Sequence, residues 1–449
     1  MNRSPIIACV VAFTACLVAG GCSGPGAGAI AHDPSQRLYI PASNDLVRTL
    51  RVSAVHDGEH IQIRYEFATE NPSWYHDYWV HENGRWRRTS GAVAGPNPLG
   101  LYEDRISMAV DAGGVPGFDV YGGYLVSHPG VRSRSDEIGA EAAEAHPHIG
   151  GVLGESEVNK FLAFSREDGA PKSRWSRVKD ADSLMRLRQD GRFLDTWQWR
   201  AHRSNPVGYA DNGYVLEFRL GSEGRSMYTT NINEQRDGPA WVYDHAKAGV
   251  RALREDRLLA RAYGQDDPYY LSEQTARRID PNDTWRDGDA IPYRLLREPA
   301  GSRGALRASG RWSDGAWRVR VTRTLRSPNP LDSHAMSPGD RFTVQFAVHA
   351  DSTGARWHYV SAPLTLGIDS EASDATLRAV RAPAGVPLDE AAGEWVALPV
   401  FYPGQFSADE IRTNPPLDRA VRAAAANPTD DRTIRRLAEL LVEHEQAAR

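Results

Sequence analysis

Apolar and polar residues alternate in short runs along much of this chain, most clearly in its first and last thirds. From residue 50, LRVSAVHDGEHIQIRYEFA holds two such runs around Asp57-Gly58, a turn pair that predicts a β-hairpin with Ile61, Ile63, Tyr65 and Phe67 on one face. Within 101–132, Ile106, Met108 and Val110 point one way and Arg105, Ser107 and Asp111 the other, a half-buried strand with a thioether on its apolar side. Runs over 291–297, 302–311, 316–325, 341–349 and 357–368 follow, separated by Gly, Pro and Asp turns at spacings typical of a sandwich or barrel. The expected fold is mainly β: one antiparallel β-sandwich over 38–400, with helical insertions near 132–190 and 240–285.

Other segments read differently. Residues 155–164, 183–187 and 247–262 are short helical candidates, and 401–449 is a helical tail. Its helices, 417–426 and 430–446, break at Asn427-Pro428, and Ile434, Leu437, Leu441 and His444 form the apolar stripe of the second. Such a stripe packs back on the sandwich by default. Residues 194–220 hold Trp197 and Trp199, two apart and read as core, then Asn-Pro and Asp-Asn-Gly turns and a strand with Tyr214, Leu216 and Phe218 alternating. The aromatics Trp74, Tyr75, Tyr78 and Trp79 are read as capping a sheet end rather than as a recognition surface.

The N-terminus adds a compartment. Arg3, an apolar run over 6–19 and the small residues before Cys22 form an export signal over 1–22, too short in its apolar part for a membrane span. VAGGC resembles a lipobox with Cys22 as the lipid-anchored residue, although Ala19 stands where Leu is usual; a plain secreted form is the alternative. Residues 23–37 are a flexible tether, and the expected location is the periplasm or the outer membrane. All 3 cysteines lie in the signal, so no internal disulfide framework exists and no CxxCH can attach haem through thioethers. The net charge of -5 is interspersed, which argues against nucleic acid, and no second apolar run is long enough to cross a membrane.

Catalytic signatures are absent from the sequence: no GxSxG, P-loop, GxGxxG after a strand or HExxH. Glu103 and Asp104 are adjacent and diverge in an extended chain, against a two-carboxylate site. His146-Pro-His148 lacks companion ligands and is read as a solvated loop.

Four ordered blocks carry a resemblance: LYEDRISMAVD, DTWQWRAHRSNPVGYADNGYVLEFR, the stretch from WRDGDAIPYRLL through WRVRVTRTL, and FAVHADSTGARWHYVSAPLTLGI. Together, over about 47–368, they resemble the ethylbenzene dehydrogenase-related haem-binding domain, similar to γ subunits of dimethyl sulfoxide reductase-class molybdenum enzymes. The resemblance implies a β-sandwich holding one non-covalent haem b, its iron often ligated by Met and Lys. Met108 falls at the Met position, and His358 stands where the Lys is expected. Met108 and His358 are therefore the expected iron ligands, facing each other across one pocket, with His128 and His349 in reserve. The implied function is electron transfer with a redox partner protein rather than catalysis. The alternative is a haem-free sandwich that holds carbohydrate on the Trp74–Trp79 aromatics.

Overall fold

The computed structural model describes residues 39–90, 93, 95–98, 100–127, 139–167, 174–354, 357–371 and 373–447. The expected signal, tether, lipid-anchored Cys22 and reserve ligand His128 lie outside the described residues.

Each alternating run must take one face out of water, and the sheet follows from that requirement. Thirteen strands join: β1 (Val47–His56), β2 (His60–Ala68), β3 (Arg105–Asp111), β4 (Leu194–Arg200), β5 (Asp211–Val215), β6 (Arg219–Gly221), β7 (Arg307–Ser313), β8 (Ala316–Thr324), β9 (Arg341–His349), β10 (Tyr359–Ser361), β11 (Leu364–Ile368), β12 (Leu377–Arg381) and β13 (Trp395–Phe401). Their order is β6-β5-β4-β3-β9-β10-β13-β1-β2-β8-β7, with β11 and β12 forming a second link from β9 to β1. Pairing is antiparallel except around β12, which runs parallel to β1 and β11.

The fold is mainly β, as the alternation predicts, and its sandwich is one sheet curled until its halves meet. Trp199 of β4 meets Trp317 of β8 edge-on at 5.0 Å between ring centroids, and Tyr65 of β2 meets Phe346 of β9 at 5.8 Å. The open edges also close on one another: Asn205 accepts from the Gly310 amide of β7 at 2.7 Å and donates to its carbonyl at 2.9 Å. Gly310 has to be glycine, since a Cβ there would stand 2.3 Å from the Trp199 ring. The enclosed core includes Leu50, Ile63, Ile106, Trp197, Val321, Phe346 and Leu366. Each such side chain contributes about 1.5–3 kcal/mol by leaving water.

The insertions differ from expectation. The helix expected over 247–262 is two short turns, His245–Ala248 and Glu255–Leu259, because Gly249 at φ 73° ends the first. The helix expected over 155–164 is a two-residue strand, Phe161–Leu162, running into a 3₁₀ turn; 183–187 does lie in a helix, Ala181–Gln189. The expected strand through 214–218 is interrupted, since β5 ends at Val215 and β6 begins at Arg219, while Asn212 and Gly213 are strand residues rather than a turn. The 71–84 aromatics neither cap the sheet nor form a surface: Tyr75, Tyr78 and Trp79 are the centre of a second core with Tyr243, Leu271 and Ile291. A four-stranded sheet, in the order Leu253–Arg254, Asp289–Pro292, Tyr78–Glu82 and Arg85–Thr89, backs that core, and Trp74 touches both cores.

The tail is helical and packs back. Helices Ala408–Arg412, Pro415–Ala426 and Asp431–Ala447 cover Val47, Val360 and Phe401, on the side of the sheet away from the main core. Ile434, Leu437 and Leu441 are buried as the stripe predicts, with Glu445 beneath Tyr402 in place of His444 as the last buried position.

Candidate functional site

Strand β3 has two buried faces of opposite character. On the inner face, Met108 lies opposite Phe346 of β9 and Trp197 of β4, fully buried, with the Tyr65 hydroxyl 3.9 Å from its sulfur. On the outer face, Arg105 lies opposite His349 of β9 and Arg200 of β4, and Ser107 lies opposite Ala347 and Gln198. Directly paired residues share a face, so these form two adjacent rows across the sheet. His358, one residue before β10, extends the first row: its ring stacks on that of His349 at 4.7 Å and 26°.

The structure does not bring Met108 and His358 together. The sheet lies between them, and the space around the Met108 thioether is filled by Tyr65 and Phe346 and the strand neighbours. His358 does alternate with Val360, but Val360 belongs to the face covered by the tail, whereas Tyr359 joins Met108 in the core. A porphyrin bridging Met108 and His358 across one pocket does not fit this arrangement. His349, a reserve ligand, is instead the partner of His358.

The outer row is built for ionic chemistry. His349 is buried and its Nδ1 has no hydrogen-bond partner among the described residues. Burial first, then the Arg105 guanidinium and His358, hold its imidazole well below the ordinary range, so it is neutral and one of its ring nitrogens carries a lone pair. Arg105 donates from Nη2 to the Thr353 carbonyl at 2.8 Å, and its Nε has no partner. Arg200 pairs with Asp211 at 2.6 Å, Arg303 reaches the same carboxylate at 2.9 Å, and Gln198 Oε1 accepts from both Arg200 and Arg219. Lys160 also acts on His349 through its charge.

Beyond this row, toward the second core, the ionic groups continue. Glu103 accepts from the amides of His202 at 2.7 Å and Arg203 at 2.8 Å and pairs with the Arg203 guanidinium. Burial would push the Glu103 carboxyl up, but Arg203 and His202 outweigh it and hold it below the usual carboxylate range. Tyr228 is half-buried, with Arg200, Arg203 and Arg294 at 5.7, 5.5 and 5.6 Å from its ring centre. On the opposite side the flank is apolar: Ala109, Leu125 and Val126 pack against Val115, Phe118 and Leu162. Cationic groups, two imidazoles and an apolar wall thus share one side of the sheet, an arrangement suited to an amphiphilic anion whose centre accepts nitrogen.

A bare metal site is not present among the described residues, where no group of three or more His, Cys, Asp or Glu could hold an ion. His148 instead approaches Glu217 at 3.8 Å, and His146 bonds the Ser176 carbonyl. The carbohydrate alternative loses its platform, because Tyr75, Tyr78 and Trp79 are buried. The sequence reading missed Arg105, Lys160, Arg200, Arg219 and Tyr228. Alternation places Arg105 and Arg200 opposite the apolar residues, but it cannot separate a face open to water from one roofed by insertions.

The family model described as ethylbenzene dehydrogenase matches residues 23–361. None of the curated proteins matches the chain.

Proposed function

Because the chain belongs to the ethylbenzene dehydrogenase family, we propose that it is a b-type haem-binding protein that exchanges electrons with a partner protein, and that haem binds on the outer face beside His349 and His358. The observation that carries this reading is His349, a buried, neutral imidazole whose Nδ1 has no partner among the described residues, stacked on a second imidazole beside the Arg105 guanidinium. When bound, haem supplies one-electron chemistry, and the protein supplies ligation, burial and electrostatics. His349 or His358 would offer the nitrogen, Arg105, Arg200 and Arg219 would supply positive charge for its carboxylates, and Leu125 and Val126 would keep water from its apolar part. Met108 is then a core residue, and imidazole rather than thioether ligation favours a lower potential. Export to the periplasm or outer membrane, with Cys22 as a lipid anchor, belongs to the same reading and is supported by the N-terminal pattern.

An absorbance spectrum of the full chain, purified from a haem-replete Gram-negative host, tests it. Wild-type protein and Met108→Leu are expected to show the same Soret and reduced α bands, and His349→Ala and His358→Ala are expected to lose or shift them. No Soret band in the wild type overturns the haem reading. A shifted spectrum in Met108→Leu with both histidine variants unchanged restores the thioether as ligand.

A further inference from the structure

Around Tyr228 the positive charge exceeds the negative charge available to it. Glu103 is used by Arg203, Asp211 is shared by Arg200 and Arg303, and Asp77, whose charge reaches Arg294, is bonded by Arg88. Arg105, Arg219 and Arg294 remain, and among the described residues each bonds only neutral oxygens: the Thr353 carbonyl, Gln198 Oε1 and Thr230 Oγ1. Arg294 is 2 % exposed and Arg105 8 %, and the Nε of each, like that of Arg200, is buried without a partner. A buried guanidinium without a counter-charge is costly, so such an excess marks a place where an anion completes the site. Tyr228, within 5.7 Å of Arg200, Arg203 and Arg294, is a group able to supply that charge itself. Burial would push its phenol up, but Arg200 and Arg203, with Arg294 behind them, bring it down to about 8, against the opposing charge of Asp211.

We propose that Arg219 and Arg294, backed by Arg200 and Arg203, form a carboxylate-binding site around Tyr228, and that Tyr228 gives up its proton at lower pH when the site is empty than when a carboxylate is bound. Two sources share that chemistry. A haem propionate is one, and this arm rests on the haem reading above; a small free carboxylate is the other, and this arm does not.

The test uses the full chain and the phenolate absorbance near 295 nm, with Tyr228→Phe subtracted to isolate one tyrosine. In haem-free protein the Tyr228 midpoint is expected near 8, rising by about one unit when acetate or succinate saturates the site, since an added negative charge at contact range shifts a titration by about that much. Arg294→Gln and the less buried Arg219→Gln are each expected to weaken carboxylate binding about tenfold or more, the loss of one charged hydrogen bond. A near-UV circular dichroism spectrum like that of the wild type shows that they fold. Haem and its dimethyl ester, in which both propionates are blocked, separate the sources. Weaker binding of the ester, with acetate no longer moving the midpoint once haem is bound, assigns the site to a propionate. Equal binding of haem and ester, with acetate still active, assigns it to a free carboxylate. If haem does not bind but acetate raises the midpoint, the haem reading fails and the carboxylate site stands. A Tyr228 midpoint near the ordinary 10, or one that neither acetate, succinate nor haem moves, overturns the proposal.

Discussion

The two faces of β3 begin from the same seven residues and end in opposite environments. The inner face, Ile106, Met108 and Val110, meets other apolar side chains from six strands and more, and the thioether ends as one packing element among many. The outer face, Arg105 and Ser107, meets His349, Arg200 and Gln198, and among the described residues leaves Arg105 Nε, Arg200 Nε and His349 Nδ1 without partners, against the single indole nitrogen of Trp197 beside Met108 on the inner face. Dry packing is the cheapest solution for a face that can find apolar partners; a face that buries unpaired polar atoms is kept for something other than stability. A residue type with coordinating chemistry is therefore weak evidence for a ligand on the inner face, and an orphaned imidazole on the outer face is stronger evidence.

The largest effect that separates the faces is expected from Met108→Ala. Removing a fully buried side chain between Phe346, Trp197 and Tyr65 leaves a cavity, and the expected loss is about 2–5 kcal/mol, read by chemical denaturation. The outer face is expected to keep its ligand-binding behaviour in the folded fraction of that variant. A loss below half a kcal/mol, together with an altered haem spectrum, would falsify the division between a packing face and a binding face.

How much of this was legible before the structure follows the same division. Alternation located β1, β2, β3, β8 and β9, the Asp57-Gly58 hairpin and the tail helices, because period and turn chemistry are local. The apolar sides of β3 and β8 likewise proved to be core. What alternation could not supply is which residues roof the opposite side. His358 and Val360 share one face, and that face is covered by the tail and insertions, a fact decided by contacts hundreds of residues apart. The second core escaped for the same reason: Tyr75 and Trp79 are joined to Tyr243 and Ile291 only by the fold, and Asp289–Pro292 is too short to announce its pairing with Tyr78–Glu82.

Glu103 and Asp104 sharpen the contrast, being adjacent and turned to opposite faces. Asp104 accepts from the Ser73 amide and the Trp317 indole at 2.8 and 2.9 Å, and burial, only partly offset by these bonds, pushes its carboxyl up to about 7. A raised carboxyl favours folding while protonated, so its contribution is present below the unfolded value near 4 and is lost as pH rises through about 7. Glu103 is lowered, so its contribution is present above its unfolded value and lost in acid. The expected outcome is that Asp104→Asn flattens the fall in stability between about pH 4 and 7, by a few kcal/mol over that window, while the acid limb persists. Denaturation midpoints across pH 4–8 check it, and an unchanged slope in Asp104→Asn would show that Asp104 is ionised throughout.

A smaller effect is expected at the seam where the sheet closes. Gly310→Ala puts a Cβ against the Trp199 ring, whose Nε1 is also held by Asn205 at 3.0 Å, so neither partner can yield freely. Overpacking of this kind costs about 1–3 kcal/mol. Because Trp199 points inward, the loss should appear in thermal unfolding and leave carboxylate binding on the outer face unchanged.

The smallest effect tests the outer face against itself, since one part of it is apolar and covered by the tail and another is the ionic row. Ser407 caps Ala408–Arg412 in a reciprocal capping box, its Oγ accepting from the Glu410 amide at 3.3 Å while Glu410 accepts from the Ser407 amide at 2.8 Å. That short helix holds Ala408 and Ile411 in the tail cluster and sets Arg412 over the Tyr121 ring at 4.4 Å. Ser407→Ala removes one half of the box and is expected to cost about 1 kcal/mol. The loss should be local, seen as faster amide exchange over 408–412, because most of the tail's apolar contacts come from the two longer helices. Exchange at His349 and Arg105, on the far side of Ala347, should stay at wild-type rates. Faster exchange there would mean that the tail and the ionic row open as one unit, and the polar part of the outer face would then owe its burial to the tail rather than to the insertions.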